Sequence, residues 1–294
     1  MADTAPNSPA EASPTPQQAA MKAELERLSG EVEAQLSQGD RAAARAACDA
    51  MLNLNGAYNP AHMLMARVMM PGENYAAILT RLHRERRPRG YAEIGVATGA
   101  SMALAGAETH CVGIDPNPRV TASIAGRARL YPVTSDDFFA RYDLSEELDR
   151  APLDLAFIDG LHLFEQALRD FINLEKYAHQ GTVVMIHDCF PPTELSAARD
   201  RVMAYWAGDV WRMIPLLIKY RPDLDVNVIP AMPSGLGLVT GLDPDSRVLE
   251  DRFDELVAEY MAMPYSVLEQ RREELLSPIA NSWDAIAERL PVAA

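Results

Sequence analysis

The chain has 294 residues, 48% of them apolar, and carries a formal net charge of −15 from 42 acidic and 27 basic side chains. This length supports one sizeable α/β core with a smaller helical addition. A strongly acidic chain repels phosphate backbones, so we expect no nucleic-acid partner. No apolar run approaches the roughly 20 residues needed to cross a bilayer, so we expect no membrane span.

The first twenty residues, MADTAPNSPAEASPTPQQAA, contain neither a basic segment nor an apolar segment. A secretory signal has both, so we expect a cytoplasmic protein. The Pro, Ala, Ser and Gln residues bury little surface, which predicts a disordered tail over residues 1–20. Cys48, Cys111 and Cys189 form no metal-binding or disulfide pattern, and burial as small apolar side chains is favoured for them.

Helical spacing of apolar residues follows this tail. Leu25, Leu28 and Val32 lie on one face of a first helix, and Gly39 separates it from a second. The pair resembles a single tetratricopeptide unit without a second copy, and a solenoid needs about three. We therefore predict a helical hairpin over residues 21–72 that serves as a cap, a lid or a dimerisation element of a homo-oligomer.

A basic cluster precedes the first expected strand. Its members are Arg81, Arg84, Arg86, Arg87 and Arg89. The cluster falls at the end of the sheet opposite the expected ligand site. A solvated helix end is favoured here, and a docking patch is the alternative.

From residue 91 onward, short apolar segments alternate with amphipathic ones. The expected strands are 91–96, 110–115, 129–134, 153–159 and 182–188, and the expected helices fall near 100–108, 119–127 and 163–178. Strands that are apolar throughout and separated by helices indicate a parallel sheet covered on both faces. Segments 226–230 and 235–242 are close enough to form an antiparallel edge pair. The prediction is a doubly wound, mostly parallel α/β domain over residues 73–242, with helical additions before it and over 243–294.

In a doubly wound sheet, ligands bind outside the carboxyl ends of the strands. The first strand runs into EIGVATGAS, where Gly95 and Gly99 permit a tight turn and close approach of the backbone to a ligand. Asp115 ends the second strand, where a carboxylate can accept hydrogen bonds from both hydroxyls of a ribose. The phosphate-binding motif G-x-G-x-x-G is absent, which favours a nucleoside ligand without a pyrophosphate.

These motifs resemble a known family. EIGVATGAS followed by GIDPNP resembles the cofactor motifs of class I S-adenosylmethionine-dependent methyltransferases. FIDGLHLFEQALRDF, followed by GTVVMIHD, is similar to the subgroup called methyltransferase family 24, which is related to the sugar- and macrolide-type O-methyltransferases. The resemblance covers about residues 88–242. The subgroup's usual glycine pair is Gln180-Gly181 here, and its aromatic residue is Phe164.

The resemblance implies a set of cofactor contacts. The residues expected at the methionine part of S-adenosylmethionine are Glu93, Gly95, Gly99 and Ser101. Asp115 is expected to hold the ribose. Asp136 is expected near the adenine amino group, and a helix N-cap is the equally weighted alternative for it.

Polar residues also end the fourth and fifth strands. Asp159, His187 and Asp188 should converge at the sheet edge. Methyl transfer depends on alignment, and an alcohol nucleophile must also lose a proton, for which a histidine near neutral pKa is suited. Alternatively Asp159, Asp188 and His187 could hold Mg²⁺, although histidine is softer than that ion prefers. His162 could orient Asp159, act as base, or only satisfy the loop backbone.

Three aromatic residues follow the fifth strand. Tyr205, Trp206 and Trp211 could form a platform for a sugar ring, but packing in a helix core is favoured.

The leading hypothesis is an O-methyltransferase with catalytic His187, Asp188 and His162 and a small hydroxylated acceptor, such as a sugar or a glycosylated metabolite. A nicotinamide-dependent oxidoreductase is the alternative enzyme, and the missing G-x-G-x-x-G disfavours it. A non-catalytic scaffold is the alternative outside enzymes, and the intact set of site residues disfavours that.

Overall fold

A seven-stranded sheet organises the computed structural model, which describes residues 15–292. The strands are β1 (Gly90–Ile94), β2 (His110–Ile114), β3 (Arg127–Tyr131), β4 (Leu153–Ile158), β5 (Val183–His187), β6 (Asp225–Ile229) and β7 (Leu236–Thr240). Their order across the sheet is β3-β2-β1-β4-β5-β7-β6. The first five are parallel, and β7 pairs antiparallel with both β5 and β6. The predicted doubly wound, mostly parallel fold is confirmed, and only β6 of the predicted antiparallel pair lies at the edge.

The helices precede, separate and follow these strands. They are α1 (Pro16–Ser37), α2 (Arg41–Leu54), α3 (Asn59–Met69), α4 (Tyr75–Arg86), α5 (Ser135–Arg141), α6 (Leu144–Glu147), α7 (Phe164–Glu175), α8 (Met213–Tyr220), α9 (Val248–Asp251), α10 (Phe253–Met261), α11 (Tyr265–Leu276) and α12 (Trp283–Ala287). Short 3₁₀ turns cover Met102–Leu104 and Val210–Arg212. Among the described residues, no helix has the length and apolar character that a membrane span requires.

The chain divides into two compact units between Leu64 and Met65, within α3. In the first unit α1 packs against α2. Helix α1 begins at Pro16 behind a capping box from Thr15, so residues 16–20 of the expected disordered tail are helical. Residues 1–14 of that tail lie outside the described residues. The role predicted for the helical hairpin, as a cap, a lid or a dimerisation element, stays a prediction. The predicted domain boundaries at residues 72 and 242 stay predictions as well.

In the second unit, apolar side chains cover both faces of the sheet. On β1, Ala92 and Ile94 belong to the cluster that packs under α7, α8 and α11, whereas Tyr91 belongs to the cluster on the face of α4 and α12. All five residues of β1 are buried. A strand buried on both faces is expected in a parallel sheet covered by helices, and it leaves the strand ends as the place for a ligand.

Two of the expected helices are wrong. The segment near 100–108 forms only the short 3₁₀ turn, and 119–127 contains no helix. The backbone N–H groups of Arg119 and Thr121 donate to the carbonyls of Ala97 and Thr98 at 2.8 and 3.0 Å, instead of to carbonyls four residues earlier. The segment therefore braces the turn after β1, a long-range pairing that local periodicity does not reveal.

The basic cluster before β1 is largely paired within the second unit. Arg89 makes a two-pronged ion pair with Asp154, with its Nη2 2.8 Å from the carboxylate. Arg86 donates to the Gly181 carbonyl, and Arg81 lies over the Trp283 ring. Three of the five arginines thus fasten α4 and the start of β1 to the rest of the unit.

Candidate functional site

The turn after β1 lies against the loop after β4. Gly95 has φ +92°, and a Cβ on it would lie 2.0 Å from the Asp159 carbonyl oxygen. The Gly95 N–H donates to Ile114 at the end of β2 (2.8 Å), and the Asp159 N–H donates to Ile94 (2.8 Å). Glycine is required at this position because no side chain fits the approach. The carboxyl ends of β1, β2 and β4 are joined at this point.

Asp115 fixes the same turn through its carboxylate. One oxygen accepts from the Ala97 N–H (2.8 Å) and the other accepts from the Asn117 N–H (2.7 Å). Ala97 has φ +46°, an uncommon conformation for a residue with a side chain. A carboxylate has about four acceptor positions, so Asp115 keeps capacity for a ligand. Its position matches the one predicted for a ribose contact.

A cavity of about 300 Å³, called the first cavity below, opens at this edge of the sheet. The polar side chains that line it belong to Asp115, Thr134, Ser135, Asp136, Gln166 and Asp170. The backbone of Gly95 and Gly160 and the side chain of Leu161 complete much of the wall. This volume lies at the lower end of the range for small-molecule pockets.

Some of the residues expected at the methionine part do not line this cavity. Glu93 is fully buried, and its carboxylate accepts from the Tyr91 and Ser101 hydroxyls, each at 2.6 Å. Burial raises the pKa of Glu93 to about 7, even though the Ser101 and Tyr91 hydrogen bonds lower it. A Cβ on Gly99 would meet Val120 at 2.9 Å, so Gly99 packs against the segment after β2. Of the predicted contacts, Gly95, Asp115 and Asp136 line the first cavity, and cofactor contact by any of the predicted residues stays a prediction.

One end of the first cavity carries a polar network that sequence reasoning missed in part. The Gln166 amide lies 3.1 Å from Asp136 and 3.0 Å from Asp170. Asp170 is almost fully buried, and burial raises the pKa of its carboxyl to about 6. The N-cap of α5 is Thr134, so the alternative role of Asp136 as N-cap is wrong. Gln166 and Asp170 lie on α7 inside FEQALRDF, where their helical spacing of four was a usable signal.

A second cavity, of about 220 Å³, adjoins the first across the loop Asp159–His162. Gly160 and Leu161 of this loop line the first cavity, while Asp159 and His162 line the second. His187 and Asp188, at the end of β5, line the second cavity as well. The structure thus brings together Asp159, His187 and Asp188, which were predicted to converge, and adds His162 to them.

The four residues contact one another closely. His187 Nδ1 lies 3.1 Å from Asp159 and 3.4 Å from Asp188. His162 Nδ1 lies 2.7 Å from Asp188, and its Nε2 lies 3.6 Å from Asp159. The Ser234 hydroxyl donates to the first oxygen of Asp188. We call Asp159, His162, His187 and Asp188 the His/Asp cluster.

Charge pairing within the His/Asp cluster outweighs burial. Burial by itself would lower the pKa of His187, but Asp159 and Asp188 hold that pKa well above its ordinary value. The same balance raises the pKa of His162, mainly through Asp188. Burial would raise the pKa of Asp188, yet His187 and His162 hold it well below its usual range. The cluster therefore keeps Asp188 ionised in a buried position.

The backbone of His162 is held in a left-handed conformation, with φ +60°. A Cβ on Gly208 would lie 1.9 Å from the His162 carbonyl oxygen, so the loop after β5 is packed directly on this residue. The Trp206 ring stacks on the imidazole with a centroid distance of 5.1 Å and an interplanar angle of 9°. Asp209 accepts from the Phe164 N–H at the start of α7 (2.8 Å). These contacts fix the orientation of His162 over the second cavity.

Of the three aromatic residues after β5, two line the second cavity and one does not. Tyr205 and Trp206 lie in the loop before the 3₁₀ turn and line the cavity. Trp211 is fully buried in the core. The favoured interpretation as helix core is therefore correct in part for Trp211, which lies in a 3₁₀ turn, and wrong for the other two. All three cysteines are buried, and burial raises the pKa of the Cys189 thiol, as expected for an unreactive side chain.

Three members of the His/Asp cluster could share one cation. Among the described residues, Asp159, His162 and Asp188 each offer a ligand atom, and these atoms lie within 4.8 Å of one another. The sequence prediction named His187 as the third ligand, whereas His187 lies outside this set and directs Nδ1 to Asp159. Two carboxylates and an imidazole suit a divalent cation, with the imidazole favouring ions softer than Mg²⁺.

Comparison with known families identifies the domain that carries this site. Residues 92–189 match the family model of a methyltransferase domain. The predicted resemblance to methyltransferase family 24 is confirmed over this segment, and a methyltransferase is the enzyme class that it indicates. No curated protein matches the chain significantly.

Several solved structures are similar to the chain at low identity. The O-methyltransferase TomG from Streptomyces achromogenes, in complex with SAM, is 18% identical over 56% of this chain and 78% of that one, with a TM-score of 0.45. An SAH-bound methyltransferase from Podospora anserina is 16% identical over 62% and 86%, with a TM-score of 0.45. An O-methyltransferase from Bacillus cereus, in complex with SAH, is 16% identical over 61% and 87%, with a TM-score of 0.42.

Proposed function

We propose that this chain, with its methyltransferase domain at residues 92–189, is an S-adenosylmethionine-dependent O-methyltransferase acting on a small hydroxylated acceptor. The observation that carries the proposal is the adjacency of two cavities at the carboxyl edge of the sheet. The two middle residues of the loop Asp159–His162 line the first cavity, and its two end residues line the second. A donor in the first cavity and an acceptor in the second would therefore meet at this loop.

The first cavity suits the cofactor in its charge and in its hydrogen-bonding groups. Asp115 would accept from the ribose hydroxyls, and Asp136, braced by Gln166, would accept from the adenine amino group. S-adenosylmethionine carries a sulfonium and an ammonium cation, and the charged side chains of this lining are the carboxylates of Asp115, Asp136 and Asp170. Gly95 lines the same cavity, which would bring the methionine part to the end of β1.

The second cavity suits the acceptor and its proton. In methyl transfer the acceptor oxygen forms a bond to the methyl carbon while the carbon–sulfur bond breaks. The electron pair of the broken bond stays on sulfur. The hydroxyl proton must leave in the same process. The His/Asp cluster lies where that proton would be released, and holding the two substrates in line supplies most of the remaining acceleration.

A divalent cation such as Mg²⁺ fits the cluster as a further component. Asp159, Asp188 and His162 would hold it, since they are the three whose ligand atoms lie close together. When bound, such a cation lowers the pKa of a coordinated hydroxyl. His187 would then orient Asp159 through the contact at 3.1 Å.

A sugar or a glycosylated metabolite is the acceptor that we favour. The lining of the second cavity combines the carboxylates of Asp159 and Asp188 with the aromatic side chains of Tyr205 and Trp206. Carboxylates accept from hydroxyl donors, and an aromatic face packs on a sugar ring.

The test is calorimetric titration with S-adenosylmethionine, with and without Mg²⁺, followed by a screen of neutral and anionic hydroxylated acceptors for methylated product. We expect saturable binding of the cofactor and turnover of neutral acceptors. Binding of NAD(P)H in preference to S-adenosylmethionine would support the oxidoreductase alternative. Cofactor binding without turnover of any acceptor would favour the scaffold.

A further inference from the structure

Tyr75 packs on His187 from outside the methyltransferase domain match. It is the first residue of α4, and its ring centroid lies 4.4 Å from that of His187, at 49°. The ring centroid of Phe157, on β4, lies 6.1 Å from that of the same imidazole, in an edge-to-face arrangement. Tyr75 is half-buried, whereas His187 is buried. One side of the imidazole is therefore covered by a residue that the family match does not include.

His187 needs this support because its polar contacts are one-sided. Nδ1 faces Asp159 and Asp188, but Nε2 is buried and has no hydrogen-bond partner among the described residues. A ring held by hydrogen bonds at only one nitrogen can rotate or flip about its Cβ–Cγ bond unless packing prevents it. Aromatic packing at this distance contributes orientation beyond burial.

The position of Tyr75 is itself fixed by three elements. Its backbone N–H donates to the Met232 carbonyl (3.0 Å), and the Asn74 side chain caps α4 by accepting from the Ala77 N–H (2.9 Å). The Asn281 amide lies 2.8 Å from the Glu73 carbonyl and 3.1 Å from the Pro230 carbonyl. The segment before α4 and the loop after β6 are thereby joined by a residue from the C-terminal part of the chain.

We propose that Tyr75 is a positioning residue for His187. The Tyr75 ring packs on the imidazole and keeps its Nδ1 directed at Asp159. The kinetic consequence rests on the proposed function, while the geometric consequence does not. The ring, and not the hydroxyl, performs this role, since the contact is between the two rings. A displacement of about 1 Å at a reacting group costs about 10²-fold in rate.

The experiment compares Tyr75→Leu with Tyr75→Phe in the full-length protein. Tyr220→Leu is the matched control, since Tyr220 is also a half-buried tyrosine and lies at the far end of α8, where its hydroxyl contacts Glu259. The first readout is NMR of the ¹⁵N-labelled histidines. It reports the ring-current shift that Tyr75 imposes on the His187 ring protons and the ¹⁵N shifts of the two ring nitrogens. We expect Tyr75→Phe and Tyr220→Leu to keep the wild-type His187 signals. Tyr75→Leu should lose the ring-current shift and change the ¹⁵N shifts of the ring nitrogens.

The second readout is kinetic. We expect Tyr75→Leu to lower kcat by about 10²-fold while S-adenosylmethionine affinity changes by less than about threefold, and Tyr75→Phe to restore kcat. Unchanged ¹⁵N shifts of the His187 ring in Tyr75→Leu would overturn the proposal. So would an equal loss of turnover in Tyr75→Phe, because that would place the effect in the hydroxyl. If the wild type has no methyltransferase activity, the proposed function fails, and the NMR comparison still decides the positioning role.

Discussion

The Cα of Gly95 faces the carbonyl of Asp159 so closely that a Cβ there would lie 2.0 Å from the carbonyl oxygen. Gly95 also has φ +92°, where residues with side chains are strained. One glycine thus brings the turn of the first cavity against the loop that separates it from the second. Both the fold and the site depend on this contact.

Gly95→Ala should therefore destabilise the fold and weaken cofactor binding together. The positive φ by itself costs about 1–2 kcal/mol, and the clash with backbone atoms adds to it. Chemical denaturation and calorimetry would measure the two effects. Gly30→Ala is the control, since nothing lies within 4 Å of its added Cβ and alanine favours a helix interior. Normal cofactor affinity in Gly95→Ala would show that this turn is not a contact surface.

Asp115→Ala should weaken S-adenosylmethionine binding by about 1.5–3 kcal/mol, the scale of hydrogen bonds to a charged group. The loss combines the ribose contacts with release of the Ala97 and Asn117 N–H groups from the carboxylate. Asp115→Asn should lose less, because its amide oxygen still accepts from one of these groups. A dissociation constant that calorimetry finds unchanged in both variants would contradict the ribose assignment.

Glu93→Gln should change how stability depends on pH. Burial raises the pKa of Glu93 to about 7 from about 4.5, so the folded state binds more protons than the unfolded state between these values. Stability contributed by protonated Glu93 is present at acid pH and falls as pH rises through this window. Relative to wild type, the variant should gain about 3 kcal/mol between about pH 4 and pH 8, measured by urea unfolding.

The control for that experiment is Glu288→Gln, a substitution at an exposed position. It should follow the wild-type curve throughout. A Glu93→Gln curve parallel to wild type would mean that Glu93 ionises in the folded protein as it does in the unfolded chain.

His187→Ala and Asp188→Asn should damage turnover far more than cofactor affinity. Both side chains line the second cavity, whereas the cofactor is expected in the first. We expect kcat to fall by about 10²–10⁴, the span for loss of an acid–base group. The dissociation constant of S-adenosylmethionine should change by less than about threefold. Full turnover in both variants would mean that the His/Asp cluster has only a structural role.

Chelation by EDTA distinguishes the two ways in which the His/Asp cluster could act, namely by holding a cation or by supplying a histidine base. If Asp159, His162 and Asp188 hold a cation, EDTA should abolish turnover and Mg²⁺ or Mn²⁺ should restore it. His162→Ala should then require more added metal for half-maximal activity than His187→Ala, because only His162 is in the ligand set. Turnover that EDTA does not affect would indicate that a histidine base removes the proton of the acceptor hydroxyl.

Much of the fold was predictable because strand burial leaves a strong local signal. Apolar runs such as LDLAFI and VVMIH gave β4 and β5 within about a residue. β3 begins at Arg127, two residues before its prediction, because its exposed edge lacks the apolar run on which the prediction relied. The helix predicted over 119–127 is wrong, because backbone N–H groups of that segment donate to carbonyls of the turn after β1.

The sequence by itself determined the sheet, the glycine turn, Asp115 and the convergence of Asp159, His187 and Asp188, because motif residues at strand ends must meet at one edge of a parallel sheet. Only the tertiary structure placed ligand atoms of His162 and of the two carboxylates within 4.8 Å of one another. It alone brought Tyr75 and Ser234 to the cluster. These choices depend on side-chain direction and on contacts between residues distant in the chain, and neither is encoded in local periodicity.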